Sequence, residues 1–451
     1  MTIHVLMEVK ARELEGRSLL AFRAALAGHQ VFIGKAQQIL DGVSAGILPS
    51  GVCVEKSISA AKEGRLKSRL EQGHRLVCQD EESGLLSDSY ERFLDIRSSI
   101  NTVAMTEAVF CWGEHDAKAW RIRYPHAAQK IYTTGSPRVD LWRPDFSPFF
   151  TSQVRTLKEQ YGPYILVASN FALANGILSL EERVKRGWES GRITSASDER
   201  KLRSSFEDDV RMFQEFVKLL CELSKRSLGV KYIVRPHPAE RIEPWQEALK
   251  GCDNVHVVFA GGISQWVRGC LAVLHNGCTT ALESYVSGVP ALAYVPFESE
   301  RNRDIPNRLS IRRATVDDIA NDVELLSKGG KLTSESPEAN DLIRCRLANA
   351  TGELAVTRIV RVLGETSDFS SSPFVFWKAQ VFGLSLFIRS LWRRNVRRRF
   401  IKADHKFPGL QLRELVDIRD RLALCDSEYS RCKVRHVYGD VFLIEAMERR
   451  S

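Results

Sequence analysis

Short apolar runs alternate along this chain with longer stretches in which apolar residues recur every three or four positions. Near the start, "IHVLMEV" has the pattern of a buried strand. "SLLAFRAALAG" follows as an amphipathic helix closing at Gly28, and "HQVFIG" reads as the next strand. "QGHRLVCQ", "AVFCWG" and "KIYTTG" continue the series, each followed by turn or capping residues. Strands alternating with helices predict parallel βαβ units. The pattern breaks at "RPDFSPFFTSQ", residues 143–153, and then restarts with "YILVASN", a polar helical stretch over 178–227, and the strands "KYIVRPHP", "VHVVFA", "AVLHNG" and "ALAYVP". The expected fold class is α/β, with two Rossmann-like domains facing a cleft (1–150 and 151–365) and a C-terminal helical tail over 366–451. No solenoid repeat is present, and no low-complexity segment beyond "DFSSSPF".

Composition narrows the class. A chain of 451 residues is too long for one ordinary core. A hydrophobic content of 44% and a charged content of 27% fit a globular protein rather than a disordered one. The ten cysteines are scattered, without a C-x-x-C pair, and no signal peptide or membrane-spanning run is evident, so reduced thiols in the cytoplasm are expected. The formal charge of +9 favours anionic partners such as nucleotides or phospholipid headgroups.

Candidate chemistry clusters at predicted strand ends. In "KYIVRPHPAE" the prolines 236 and 238 stop the strand and stiffen the backbone on either side of His237, beside Arg235. Open α/β sheets bind ligands just past the carboxyl ends of their strands. A turn that merely contains a histidine would read the same way. In "LHNGCTTALESYVSGVP" a strand ends at His275, and a helix begins at Thr279 and Thr280 with Glu283 one turn in. Hydroxyls at a helix start can cap it or bind phosphate; Thr280 and Glu283 also have capping-box spacing. Asn170, ending "YILVASN", joins Arg235, His237, Pro238, His275, Thr279, Thr280 and Glu283 as a candidate nucleotide-binding set. In the first half, "LVCQDEESGLL" sets Asp80, Glu81 and Glu82 after a strand. Crowded carboxylates raise one another's pKa and can furnish a general base; a solvated acidic loop is the plainer alternative.

In order, "DEESG", "TGSPRVD", "YILVASNF", "RPHP" and "HNGCTTALE" resemble the bacterial surface-carbohydrate biosynthesis proteins of the GT-B glycosyltransferase class. The resemblance covers about residues 1–365 and reappears in "HKFPGL". Motif by motif the chain is also similar to bacterial sialyltransferases. That similarity implies a base among Asp80, Glu81 and Glu82, and a cytidine-nucleotide phosphate held by His237–Pro238 and Thr279–Thr280. Ser83 separates the acids from Gly84, which departs from the family's pattern, and "TGSPRVD" is shared in style with epimerases of the same fold. The resemblance implies chemistry without a metal or cofactor.

The tail "PFVFWKAQVFGLSLFIRSLWRRNVRRRF", residues 373–400, places aromatics and leucines before Arg389, Arg393, Arg394, Arg397, Arg398 and Arg399. This is the composition of an interfacial helix on an anionic membrane surface; a helix packed on the domains is the alternative. No nucleic-acid reader motif accompanies the charge. The expected function is transfer of a sugar, favoured as a CMP-activated acidic sugar, from a nucleotide-sugar donor to a glycan or lipid-linked acceptor of a growing surface polysaccharide. That places the protein in the cytoplasm or at the inner face of its membrane. The alternatives are a nucleotide-sugar epimerase, a CDP-alcohol phosphotransferase and a non-catalytic membrane scaffold.

Overall fold

The computed structural model describes residues 1–81, 90–365, 374–396 and 407–448. They divide into two compact units, 1–150 with 341–451, and 151–340.

The first unit is built on β1 (Thr2–Met7), β2 (Gln30–Lys35), β3 (Val52–Glu55), β4 (Arg75–Gln79), β5 (Ala108–Cys111) and β6 (Ile131–Thr133). The second contains β7 (Tyr164–Ala168), β8 (Lys231–Arg235), β9 (Val255–Val257), β10 (Ala272–His275), β11 (Ala291–Tyr294) and β12 (Ile311–Arg313). Two more strands, β13 (Cys432–Tyr438) and β14 (Val441–Ala446), return to the first unit. Its sheet runs β13-β14-β2-β1-β3-β4-β5-β6, and the second runs β12-β11-β10-β7-β8-β9. Every pairing in the second sheet is parallel. The first sheet is parallel apart from the β13–β14 hairpin, which joins β2 antiparallel.

Parallel strands are buried on both faces, which is why they read as continuous apolar runs. In the second unit alternate residues divide cleanly. Ile165, Val167, Tyr232, Val234 and Leu274 pack with Phe216, Leu220 and Leu223 of the helix Ala196–Lys225. Tyr164, Leu166, Ile233 and Val273 pack with Trp266 and Val267 on the opposite face. The polar stretch expected over 178–227 forms two helices, Leu180–Glu189 and Ala196–Lys225, each begun by a serine capping box.

Two expectations change. The second unit ends at Asn340, and residues 341–365 belong with the first. The reason lies in "TGSPRVD". Asn349 accepts from the Ser136 N–H through Oδ1 (3.1 Å) and donates through Nδ2 to Ser136 O (2.9 Å) and Asp140 Oδ1 (2.6 Å). Asp140 also accepts from the N–H groups of Ala355 and Val356 (2.8 and 3.0 Å), at the start of the helix Ala355–Glu365. A side chain at Gly135 would collide with Asn349, so only glycine permits this approach. The tail, in turn, is not wholly helical. After the helices Phe376–Val396 and Leu412–Ala423, the alternating "KVRHVY" and "VFLIEA" fold back through Gly439 as the hairpin at the sheet edge. Gly34 lets it approach, since a Cβ there would strike Asp440 O.

Candidate functional site

In the second sheet β7, β8 and β9 succeed one another to one side, while β10, β11 and β12 lie on the other. The strand order therefore reverses between β7 and β10, and a crevice opens at such a point past the carboxyl ends. Asn170 follows β7 there and donates through Nδ2 to Gly277 O (3.1 Å). The turn after β10 is held from other sides too. Gly277 N–H donates to Asn307 Oδ1 (2.9 Å), and Asn276 Nδ2 to Tyr294 O (2.7 Å). Gly277 has φ +68°, a conformation that glycine adopts without strain.

Thr279 stands exposed before the helix Thr280–Val286, and its side chain makes no capping bond. The capping box expected of Thr280 and Glu283 does not form. Thr280 is the first helical residue, which puts Glu283 one position too far along. Both are buried, and Thr280 Oγ1 accepts from Cys278 Sγ (3.3 Å).

His237 and Pro238 are exposed past β8. His237 Nδ1 accepts from the Ala239 N–H (3.2 Å), so the proton of the neutral ring sits on Nε2. This loop is fixed by a residue that the sequence reading missed, Glu240. Its Oε1 accepts from Ser169 Oγ (2.8 Å), Phe171 N–H (2.9 Å) and His237 N–H (3.2 Å), and its Oε2 accepts from Trp245 Nε1 (2.9 Å). One buried carboxylate thus ties the segment after β7 to the segment after β8. Its only sequence signal is an acid three residues past the histidine.

Two candidates turn inward instead. Arg235 donates through Nη1 and Nη2 to the carbonyls of Ala260 and Gly261 and lies 5.1 Å from the Trp266 ring. Burial draws its pKa down to about 10. Arg235 is therefore a strut for the loop after β9, which Trp266 Nε1 also holds through Ala260 O (3.1 Å). That loop carries Phe259 with 53% of its surface exposed. His275 is fully buried, with Nε2 bonded to Ser310 Oγ at 2.8 Å. Burial pushes its pKa down to about 3, so the ring is neutral and supplies no charge to a phosphate. Thus Asn170, His237, Pro238 and Thr279 share one sheet edge, while Arg235 and His275 support it from within.

In the first unit Asp80 and Glu81 each meet an arginine. Asp80 is held in two bonds by Arg97, Nε to Oδ2 at 2.9 Å and Nη2 to Oδ1 at 2.8 Å. Glu81 pairs with Arg17 Nε at 2.9 Å, and both side chains are buried. Burial pushes the Glu81 pKa up against the pull of Arg17, and Glu13 adds to the rise. For Asp80 and Glu81, an arginine partner each takes the place of the expected mutual repulsion. Glu82 lies outside the described residues. Arg17 Nη2 and Trp112 Nε1 also bind the Gln79 and Asp80 carbonyls (3.0 and 2.7 Å), fixing the backbone at the end of β4. Among the described residues no group of three or more His, Cys, Asp or Glu is placed to hold a metal ion.

No protein-family model matches the chain, and no curated protein matches it significantly by sequence. Solved structures do. The UDP-GlcNAc 2-epimerase from Methanocaldococcus jannaschii aligns at a TM-score of 0.50 and 12% identity, over 81% of this chain and 100% of that one. The wall teichoic acid polymerase TagF, in a structure soaked with CDPG, aligns at 0.49 and 9% identity, over 81% and 88%. The UDP-GlcNAc 2-epimerase from Neisseria meningitidis bound to UDP-GlcNAc aligns at 0.47 and 11%, over 81% and 100%. At these identities the likeness is one of fold: a GT-B-like α/β protein with parallel sheets.

Proposed function

We propose that this chain is a nucleotide-sugar-dependent enzyme of surface-carbohydrate biosynthesis, and that it transfers a sugar from the nucleotide to a growing glycan. The observation that carries the reading is the edge of the second sheet. At the reversal of strand order, an exposed imidazole with its proton on Nε2 and an exposed threonine hydroxyl stand past β8 and β10, the two neighbours of β7. Both are donors suited to the oxygens of a leaving nucleotide phosphate, and donors already fixed in place need not reorganise as charge develops there. Glu240 and Asn307 supply that fixing. Phe259 offers a ring past β9 on the same edge, a surface on which a nucleobase can stack. The base for the acceptor hydroxyl falls within residues 80–82, and a CMP-activated acidic sugar is the favoured donor on motif similarity.

A second reading is nucleotide-sugar epimerisation. It is favoured by the alignment with all of the Methanocaldococcus jannaschii UDP-GlcNAc 2-epimerase. One experiment separates the two. Thermal-shift titration with CMP, CDP, UDP and GDP identifies the nucleotide, since a ligand bound by the native state raises its apparent stability. Product analysis with the matching donor alone then decides. An isomerised sugar without acceptor supports epimerisation, and turnover only with acceptor supports transfer. No stabilisation by any of the four nucleotides overturns both.

A further inference from the structure

Over residues 376–386, where its side chains are described, the helix Phe376–Val396 has one apolar face packed on the protein and another left exposed. On the inner side Phe374, Ala379, Phe382 and Leu386 join the cluster formed by Phe32, Val437, Tyr438 and Leu443. Phe382 meets the Tyr438 ring edge-on at 5.3 Å, and Phe374 meets Phe32 at 5.0 Å. Gly383 allows this contact, because a Cβ there would press on the Tyr438 side chain. On the outer side Trp377, Val381 and Leu384 are 65%, 61% and 61% exposed. Their spacing of four and three residues makes them one stripe along the helix.

Charge identifies what covers this stripe. From residue 369 to residue 403 the sequence contains no Asp or Glu, yet it holds Lys378, Arg389, Arg393, Arg394, Arg397, Arg398, Arg399 and Lys402. A protein partner would have to bring acidic groups to match. An anionic bilayer surface presents them everywhere, together with an apolar layer just beneath for tryptophan and leucine. Among the described residues no helix is long and apolar enough to cross a membrane, so the contact is one of lying on the surface.

We propose that the outer face of the helix Phe376–Val396 docks the protein onto an anionic lipid surface, with Trp377, Val381 and Leu384 inserted and the basic sequence of the segment attracting it to the headgroups. The helix is anchored to the first sheet through β13, so docking fixes the orientation of that unit on the membrane rather than tethering it by a loose tail. The proposal stands apart from the nucleotide site and survives or fails without it.

Deleting the tail is not a usable test, because β13 and β14 are part of the first sheet. The full chain carrying Trp377→Ala, Val381→Ser and Leu384→Ser changes exposed positions only, and circular dichroism should match wild type. Cosedimentation with vesicles of phosphatidylglycerol and phosphatidylcholine should show wild type bound and the triple variant weakened at least tenfold. Arg393→Glu with Arg394→Glu should weaken binding similarly, as should 0.5 M salt, whereas pure phosphatidylcholine should bind poorly. Equal pelleting of wild type and the triple variant overturns the proposal. So does a wild-type dimer in analytical ultracentrifugation that the triple variant abolishes without any vesicle binding, which would make the occupant a second copy.

Discussion

Asn349 Nδ2 donates to Asp140 Oδ1 at 2.6 Å, joining two residues 209 positions apart. Through this bond and those from Ala355 and Val356, the segment after the second unit is returned to the first. Removing the carboxylate leaves three buried donors without an acceptor.

Asp140→Ala is expected to destabilise the first unit by roughly 2–4 kcal/mol, on the cost of buried unsatisfied donors. Burial raises the Asp140 pKa to about 6, against the bonds from Val356, Asn349 and Ala355. The native state therefore holds this proton more tightly than the unfolded chain does. Its contribution to stability is full below about pH 4 and lost as the pH rises through 6. Urea unfolding of wild type and Asp140→Asn at pH 4, 5, 6 and 7 measures it. Parallel profiles for the two proteins would disprove the assignment.

The second unit should be acid-labile through His275. A histidine neutral to about pH 3 in the native state and titrating near 6.5 when unfolded stabilises above 6.5, and that stability is lost as the pH falls toward 3. At ~1.4 kcal/mol per pKa unit the loss is on the order of 4–5 kcal/mol. In the first unit His4, also pushed to about 3 by burial and then by His74, acts in the same direction. Thermal melts from pH 7 to pH 4 should fall steeply for wild type and less so for His275→Gln. An unchanged slope in the variant assigns the lability elsewhere.

At the nucleotide edge, His237→Ala should weaken nucleotide binding about tenfold while leaving the melting temperature within a degree or two, because the ring is exposed. Glu240→Ala should lower both, since it strips the acceptor from four donors. Calorimetric titration beside a thermal melt reads the pair. Full affinity in His237→Ala would make the ring a structural feature of the turn.

The acids should divide by stability. Glu81→Gln leaves the Arg17 charge buried without its counter-ion and should cost ~3–5 kcal/mol. Asp80→Asn loses its paired bonds to Arg97 and should cost less, the site being nearer the surface. Glu82→Gln should keep wild-type stability if its role is chemical. Turnover lost in that variant alone, with nucleotide binding intact, would assign the base; full turnover in all three folded variants would remove the base from this run.

What the sequence determined by itself is what local pattern can specify. Apolar runs bounded by glycine, proline and capping residues announce ten of the strands in place, because burial on both faces leaves a continuous signature. The prolines around His237 likewise declare a stiff loop after a strand. Short β3 and β12, and the hairpin behind a basic helix, carry too little pattern to stand out. Only the tertiary structure decided that Arg235 braces the loop after β9, that His275 faces Ser310, and that Asp80 and Glu81 meet Arg97 and Arg17. A side chain's direction follows from partners brought near by folding. Neither the charge of a residue nor its place beside a strand end reveals which distant group will meet it.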